Sequence, residues 1–518
     1  MEFIHPKSTN NIIFINTNQS VGMTEAFKIE RNETVGRYAV AKKDFKPGQV
    51  LFEERPVAVG PKSCSPLLCL GCYSRTDGSQ LCPRCGWPVC SVDCANDKLH
   101  ANAECRVFAA AAVKFQPEED PRLPSPQLEC ITPLRVLLTK ETDPERWKKE
   151  VSLMESHNEE RKKNEYWKVE KVNVVDFLLK KCKLDGRFND EEVHFVCGIL
   201  EVNSFEVRTT YGVAIRGLYP NLAILSHNCV PNTTHSVISN ENYRLIARAT
   251  VDIKSGQEMF TTYTHTIAPT LTRREQLLSS KYFHCTCKRC SDPTELGTHS
   301  SSLKCTKCDN GVILSVSPLN AESEWKCTHC SFVVSADQVT RIFSTIQSDI
   351  DGLETMPNAD STIEMAEKLL RKYRSVLHPR HSFNTTLRHC LVQLYGRVPG
   401  YTFDDLPDIL LEHKIELCER ILEVANVIEP GYSRLRGLIL YELHVPMMLF
   451  ARARFEYGEI NKETFCSKMD QVIKILEEAT NILILEDPST SEGAIGLMGQ
   501  QSLEQLTSSL AVVKSSTD

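Results

Sequence analysis

Cysteine spacing constrains this chain more than any other feature. Most of its 22 cysteines fall in three tight groups along a 518-residue sequence. The first group reads CLGC (Cys69, Cys72), CPRC (Cys82, Cys85) and CSVDC (Cys90, Cys94), followed by His100 and Cys105. Two tetrahedral zinc ions need eight N/S donors, and the order of these implies a cross-brace. Cys69, Cys72, Cys90 and Cys94 would hold one ion, and Cys82, Cys85, His100 and Cys105 the other. With no open coordination position, both ions are expected to be structural. The second group, CTCKRC, offers Cys285, Cys287 and Cys290 and lacks a fourth ligand, for which the distant Cys229 in SHNCVPN is the candidate. The third group pairs Cys305 and Cys308 with Cys327 and Cys330 at zinc-ribbon spacing, with His329 a bystander inside its knuckle. About four zinc ions follow. Cys64, Cys130, Cys182, Cys197, Cys390, Cys418 and Cys466 stand alone and read as small buried hydrophobes.

Clustered cysteine means metal rather than disulfide only where thiols stay reduced. The N-terminal stretch has neither a basic leader nor a long apolar run, so an intracellular protein of cytoplasm, nucleus or both is expected. No apolar run approaches the ~18 residues of a membrane span. The net charge of -7 and the absence of C2H2 finger spacing argue against direct nucleic-acid binding, leaving protein or small-molecule partners.

With 41% hydrophobic and 25% charged residues the chain is an ordinary folded one, long enough for several units. Its patterning suggests an α+β multidomain protein. Residues 1–24 are polar and read as a flexible leader. Residues 25–63 alternate as short strands, with turns at Val35-Gly36 and Lys46-Pro47-Gly48. Residues 64–107, too poor in aliphatics to make their own core, depend on metal. Residues 108–197 are helical and densely charged, with Trp147, Val151, Met154, Tyr166 and Trp167 as sparse apolar positions, and the charges read as a solvated face. Residues 198–280 are β-rich, and 281–335 carry the second and third cysteine groups. Residues 336–488 show helical spacing, as in Val339, Ile342, Ile346, Ile350 and Leu353. Ser361 with Glu364 fits a capping box there. Antiparallel helical hairpins of tetratricopeptide type are expected, although no clean repeat of the ~34-residue period occurs. Residues 489–518, rich in Ser, Thr and Gln, read as a loose tail.

The cysteine groups and two further motifs together resemble the SMYD family, a SET methyltransferase domain interrupted by a MYND zinc finger, and most of all its arthropod SmydA branch. Cys69 to Cys105 resembles the MYND finger, and SHNCVPN (226–232) with GQEMFTTY (256–263) resembles the SET motif. Cys285, Cys287 and Cys290 resemble the post-SET zinc motif. The resemblance spans Thr24 to about Pro488. It implies that Cys229 completes the post-SET zinc, and that a β-rich SET fold with a threaded segment precedes a helical C-terminal domain. It further implies transfer of a methyl group from S-adenosylmethionine to a protein lysine. Tyr263 would be the catalytic tyrosine, Phe283 would stack beside the cofactor, and Asn203 and His227 would contact it, with Tyr282 near the channel. MYND fingers of the family bind proline-containing peptides.

Two departures touch the cofactor site. Gly36-Arg37-Tyr38 stands where the family usually has Gly-x-Gly, so a ring replaces a missing Cβ and would crowd the cofactor. In the SmydA branch Gly-Arg-Tyr is common, which implies accommodation. Ser226 stands where the family has Asn, exchanging an amide for a shorter hydroxyl. An unpaired cofactor group there would cost on the order of 1–3 kcal/mol. The first reading is therefore a lysine methyltransferase, histone or non-histone; the second is a weak or inactive scaffold that binds protein partners through zinc finger and helices.

Overall fold

A computed structural model describes residues 26–516 except Thr34, Glu118 and Pro121. The leader expected at 1–24 lies outside the described residues. Strands are numbered in chain order, and so are α-helices of eight residues or more.

Two separated stretches of sequence build the β-rich core. Strands β1 (Phe27–Asn32) and β2 (Gly36–Ala41) form an antiparallel hairpin. Strands β3 (Val50–Glu54) and β4 (Ala58–Gly60) then pair with strands that arrive only after the helical insertion. Strand β3 lies against β9 (Arg244–Ala249), itself paired with β8 (Thr233–Ile238), while β4 lies against β6 (Ala214–Leu218), paired with β5 (Ser204–Arg208). The main-chain bonds Phe45 N–H to Ile253 O and Ile253 N–H to Phe45 O, at 2.8 and 3.0 Å, close the seam. Leu51, Phe52, Ile215, Leu245 and Ala247 are fully buried along it.

The cysteine-rich segment has no private core. Leu68, Leu70, Tyr73, Trp87 and Phe108, the last on α1 (Glu104–Ala111), join the same apolar cluster as the sheets and the insertion helices. Trp87 stacks on Phe108 with centroids 4.2 Å apart. Helix α2 (Ile131–Thr142), a π-helix over Lys171–Lys181 and α3 (Asp190–Asn203) complete this layer. Asn189 and Glu192 make the capping box that starts α3. That helix runs through Gly198–Asn203, which the sequence suggested as strand; Val193, Val196, Ile199 and Leu200 are buried at helical spacing.

The charged face of the insertion is not wholly solvated. Arg161 and Glu170 are buried, paired with each other, and joined by Glu201 and His194 at 2.7 and 2.8 Å. A guanidinium with five donors lets one cation satisfy several acceptors without water. Cys64 is exposed and Cys390 half-buried, so two of the single cysteines are not core hydrophobes.

Helix α4 (Thr270–Lys281) leads to the last cysteine groups. The ribbon strands β11 (Leu303–Lys304), β12 (Val312–Ser315), β13 (Trp325–Cys327) and β14 (Val333–Val334) form one antiparallel sheet. Leu303, Ile313 and Trp325 share the core of the helices that follow, not that of the β-rich region. Those helices are α5 (Ala336–Asp351), α6 (Ala359–Tyr373), α7 (Ser382–Leu394), α8 (Asp408–Ile428), α9 (Arg434–Glu456), α10 (Lys462–Leu483) and α11 (Ser491–Ser515), each packing on the next from α6 onward. Helix α6 starts three residues earlier than the Ser361–Glu364 pair suggested: Asn358 caps it by accepting the Ser361 N–H at 2.8 Å.

The stretch read as a loose tail forms α11. Gly493, Gly496 and Gly499 line one face of it, and an added Cβ at Gly496 or Gly499 would sit 2.6 Å from the Ile484 nitrogen or 2.5 Å from the Thr480 hydroxyl. Bare glycines thus let the helix backbone lie directly on the end of α10, an approach that apolar periodicity does not reveal.

Several contacts anchor the helices to the β-rich region, among them Thr266 to Glu429 and the two that follow. Asp487 accepts the Ser239 N–H and hydroxyl at 2.9 and 2.8 Å. Between α8 and α9, the Tyr432 N–H donates to the Thr250 carbonyl at 2.8 Å, and Gly431, with φ +74°, passes against that carbonyl. A Cβ at Gly431 meets backbone, not a movable side chain, in a conformation L-residues resist. Gly431→Ala should therefore destabilise the protein by on the order of 1–3 kcal/mol, read as a lower denaturation midpoint in differential scanning calorimetry.

Candidate active site and metal centres

Strand β7 (Ser226–His227) lies parallel to β10 (Phe260–Thr261), pairing Ser226 with Phe260 and His227 with Thr261. The Asn228 N–H extends the ladder to Thr261 O at 2.9 Å. Asn232 clamps the far side: its Nδ2 donates to Glu258 O at 2.9 Å and its Oδ1 accepts the Phe260 N–H at 2.7 Å. Asn228 Oδ1 accepts the Val230 N–H and so serves its own loop. These bonds seat the segment 225–229 beside 260–263, two runs far apart in sequence.

His227 occupies the junction. The Tyr263 N–H donates to its Nδ1 at 3.0 Å, so Nε2 carries the ring proton and points at Cys229 Sγ, 3.3 Å away. Both ring nitrogens thus serve the protein, leaving only the His227 backbone for a cofactor. The Tyr263 phenol donates to the Leu225 carbonyl at 2.6 Å, and burial raises its pKa. The His227 ring lies 5.3 Å from that of Tyr263 and 6.0 Å from that of Phe283. The Oγ of the adjoining Ser226 is buried with no hydrogen-bond partner among the described residues.

The other candidate residues lie around this group with their polar ends engaged. Asn203 Nδ2 donates to Glu155 O at 2.9 Å. Arg37 reaches Leu153 O at 2.7 Å, and the Tyr38 hydroxyl donates to Glu30 across the hairpin at 3.1 Å. Their strand continues to Ala39, whose carbonyl accepts the Met259 N–H just before Phe260. Gly36, at φ +71°, has open space where its Cβ would be. Tyr282 faces Glu201 and the His157 ring rather than Tyr263. The residue that does face Tyr263 is Lys281, to which no sequence pattern pointed.

The sixteen expected metal ligands fall into four clusters, each with all its ligand atoms within 4.8 Å of one another. They group as Cys69, Cys72, Cys90 and Cys94; Cys82, Cys85, His100 and Cys105; Cys229, Cys285, Cys287 and Cys290; and Cys305, Cys308, Cys327 and Cys330. Sulfur–sulfur separations are 3.5 Å for Cys72–Cys90, 3.8 Å for Cys82–Cys105, 3.9 Å for Cys229–Cys285 and 3.7 Å for Cys305–Cys330. A zinc tetrahedron with ~2.3 Å bonds has edges of about 3.8 Å, whereas a disulfide is about 2.05 Å long. The geometry fits metal-sized clusters and no disulfide.

Two of these clusters have supporting shells invisible in the sequence. Glu104 accepts from His100 Nδ1 at 2.8 Å, which turns Nε2 toward Cys85 Sγ at 3.6 Å. Arg135, from α2, grips both Glu104 oxygens at 2.6 and 2.8 Å and also the Val59 and Leu70 carbonyls. Burial pushes the Glu104 carboxyl up, but Arg135 and His100 outweigh it and hold it below 4.5. At Cys229, the fully buried Arg273 donates to its sulfur at 3.3 Å and to Cys290 Sγ at 3.5 Å. Glu295 bridges Arg273 and the equally buried Arg289 at 2.9 and 3.0 Å. Burial opposes ionisation of Glu295 too, and the two guanidiniums again prevail.

Residues 36–264 match the SET domain family. The chain is 27% identical to the SET domain-containing protein SmydA-8, isoform A, of Drosophila melanogaster over 80% of its own length and 87% of the fly protein. The Arabidopsis thaliana histone-lysine N-methyltransferase ASHR1 is 26% identical over 77% of this chain and 80% of its own. The Danio rerio N-lysine methyltransferase SMYD2-B is 27% identical over 49% of this chain and 58% of its own. The chain thus carries a SET domain and is similar to SmydA-8 over most of its length and to a SMYD lysine methyltransferase over about half of it. Its SET match begins at Gly36 in β2 and ends just past Tyr263, so strands β2 to β10, the insertion and the β7–β10 junction all lie inside it, while β1 precedes it. Among the described residues no helix is long and apolar enough to cross a membrane.

The Glu104 shell gives a direct test. A carboxylate that orients a metal-binding histidine typically contributes 10- to 100-fold in metal affinity. Glu104→Ala should weaken zinc retention by about that factor at one of four sites, measured by competition with a chromogenic chelator.

Proposed function

We propose that this protein is an S-adenosylmethionine-dependent protein-lysine N-methyltransferase with a histone or non-histone protein substrate. The observation that carries the reading is the β7–β10 junction, where the His227 ring lies within 6.0 Å of those of Tyr263 and Phe283 and the adjoining Ser226 has a buried hydroxyl with no partner among the described residues. An unsatisfied buried hydroxyl costs free energy unless a ligand completes it, so the site fits a cofactor carrying polar groups. Ser226, the His227 backbone, the open side of Gly36 with Arg37 and Tyr38, and Asn203 would hold S-adenosylmethionine, with Phe283 against its flat ring.

The bound cofactor would supply an activated methyl group on a sulfonium. The chain must orient a neutral lysine amine toward it and keep water away. The Tyr263 phenol, raised in pKa and so neutral, can direct its oxygen lone pair at that amine or methyl while its O–H stays donated to Leu225 O. His227 sets where that phenol stands through the Tyr263 N–H.

In this reading residues 25–63 and 198–280 form the SET domain, 64–107 the MYND finger, 108–197 the insertion, 281–335 the post-SET and ribbon segments, and 336–488 the helical domain. The four clusters bind structural zinc, and the finger offers a site for proline-containing peptides. The protein acts inside the cell, where thiolates stay available for metal. The scaffold reading is not favoured: relatives named as lysine methyltransferases match 77% and 49% of this chain, and the Tyr38 hydroxyl is tied to Glu30.

Calorimetric titration of zinc-loaded protein with S-adenosylmethionine tests the reading, and absence of binding would overturn it. Ser226→Ala should weaken binding about two- to tenfold, the worth of one hydrogen bond. Tyr263→Phe should bind the cofactor as well as the parent protein does but transfer methyl groups ~10²-fold more slowly to a peptide or protein acceptor.

A further inference from the structure

Helix α4 stops at Lys281 because Tyr282 adopts a left-handed backbone, φ 62°. The turn sends the Lys281 side chain inward, across the site. Its ammonium donates to the Val202 carbonyl at 2.5 Å and lies 5.8 Å from the centre of the Tyr263 ring. The amine thus stands between the Tyr263 ring and the main chain next to Asn203. Lys281 forms no ion pair among the described residues. Glu201, the acidic group that acts on it, is bonded instead to Arg161 at 2.7 Å and to the Tyr282 hydroxyl at 3.1 Å.

A lysine without a carboxylate partner, bonded to one carbonyl and set over an aromatic face, has the surroundings that a methyl-accepting amine requires. Burial pushes its pKa down to about 8, so about a tenth of the population is the uncharged nucleophile at pH 7. A solvated lysine, with pKa near 10.4, is almost wholly protonated there.

We propose that Lys281 is a self-methylation site, its amine taking a methyl group in cis beside Tyr263. The inference rests on the methyltransferase reading of the same site. The ammonium first releases a proton to solvent. The free Nζ lone pair then forms the N–CH3 bond while the S–CH3 bond of S-adenosylmethionine breaks and its electron pair stays on sulfur. Positive charge passes from sulfonium to methylammonium, leaving a neutral thioether, and no redox partner is needed. The product keeps its charge and at least one N–H for Val202 until a third methyl is added.

The test uses the full-length zinc-loaded protein and S-adenosylmethionine carrying an isotopic methyl label, with digestion and mass spectrometry of the Lys281 peptide. Label on Lys281 is expected, at a rate per molecule independent of protein concentration, and lost in Lys281→Arg. A Tyr263→Phe copy mixed with active protein should stay unlabelled at Lys281; label there would overturn transfer in cis. Cofactor binding by calorimetry with no label on Lys281 would overturn the proposal and leave the methyltransferase reading intact, whereas no binding would overturn both. A readout independent of turnover is chemical dimethylation with formaldehyde and borohydride. Bound S-adenosylhomocysteine should shield Lys281 while sparing the exposed Lys149, and equal labelling of Lys281 with and without it would also overturn the proposal.

Discussion

The Cys229 sulfur is the point on which the site depends. It lies 56 residues from Cys285 and 61 from Cys290 in sequence, yet within 3.9 and 3.5 Å of their sulfurs. The same atom accepts from His227, which in turn holds the Tyr263 N–H, and from Arg273. Closing so long a loop costs conformational entropy that four neutral thiols could not offset, and a bound cation can. The buried charges agree. Arg273 and Arg289 face one Glu295, an excess of one positive charge that a zinc tetrathiolate, with two net negative charges, more than balances. The four sulfurs, the guanidiniums and the catalytic candidate are thus linked in one network.

The cross-braced finger repeats that logic at another seam. Arg135 belongs to the insertion, Glu104 and His100 to the finger, and Val59 to the first strands. A single side chain thus fastens three segments around a metal ligand, which is why the finger can sit within the core of the SET domain without an apolar centre of its own.

Ligand sets were the most legible part of the sequence, because zinc geometry restricts spacing and residue type together. Strands β1 to β4 were readable from alternation and turns, and the helices after Ala336 from their period. What stayed hidden depends on contacts between distant residues. Arg161 and Glu170 look like solvated charges until His194 and Glu201 are brought beside them. The spaced glycines of α11 carry no apolar signal, and their purpose appears only against α10. Of the site, Ser226, His227, Tyr263 and Phe283 were legible through motif. Lys281 was not, since a lysine at a helix end ordinarily reads as a favourable match to the helix dipole. The left-handed Tyr282 redirects it inward.

The separation between ligands also sets an order of assembly during synthesis. The finger's eight ligands span Cys69 to Cys105 and can capture metal as soon as that stretch leaves the ribosome. Cys229 must wait for Cys290, and β3 must wait for β9, across the whole insertion. Because chains emerge at roughly 5–20 residues per second, the finger matures several seconds before the strands beside it find their partners. The nascent β1–β4 segment therefore meets a finger already able to hold metal, and the cluster beside the β7–β10 junction is completed only when Cys285, Cys287 and Cys290 arrive.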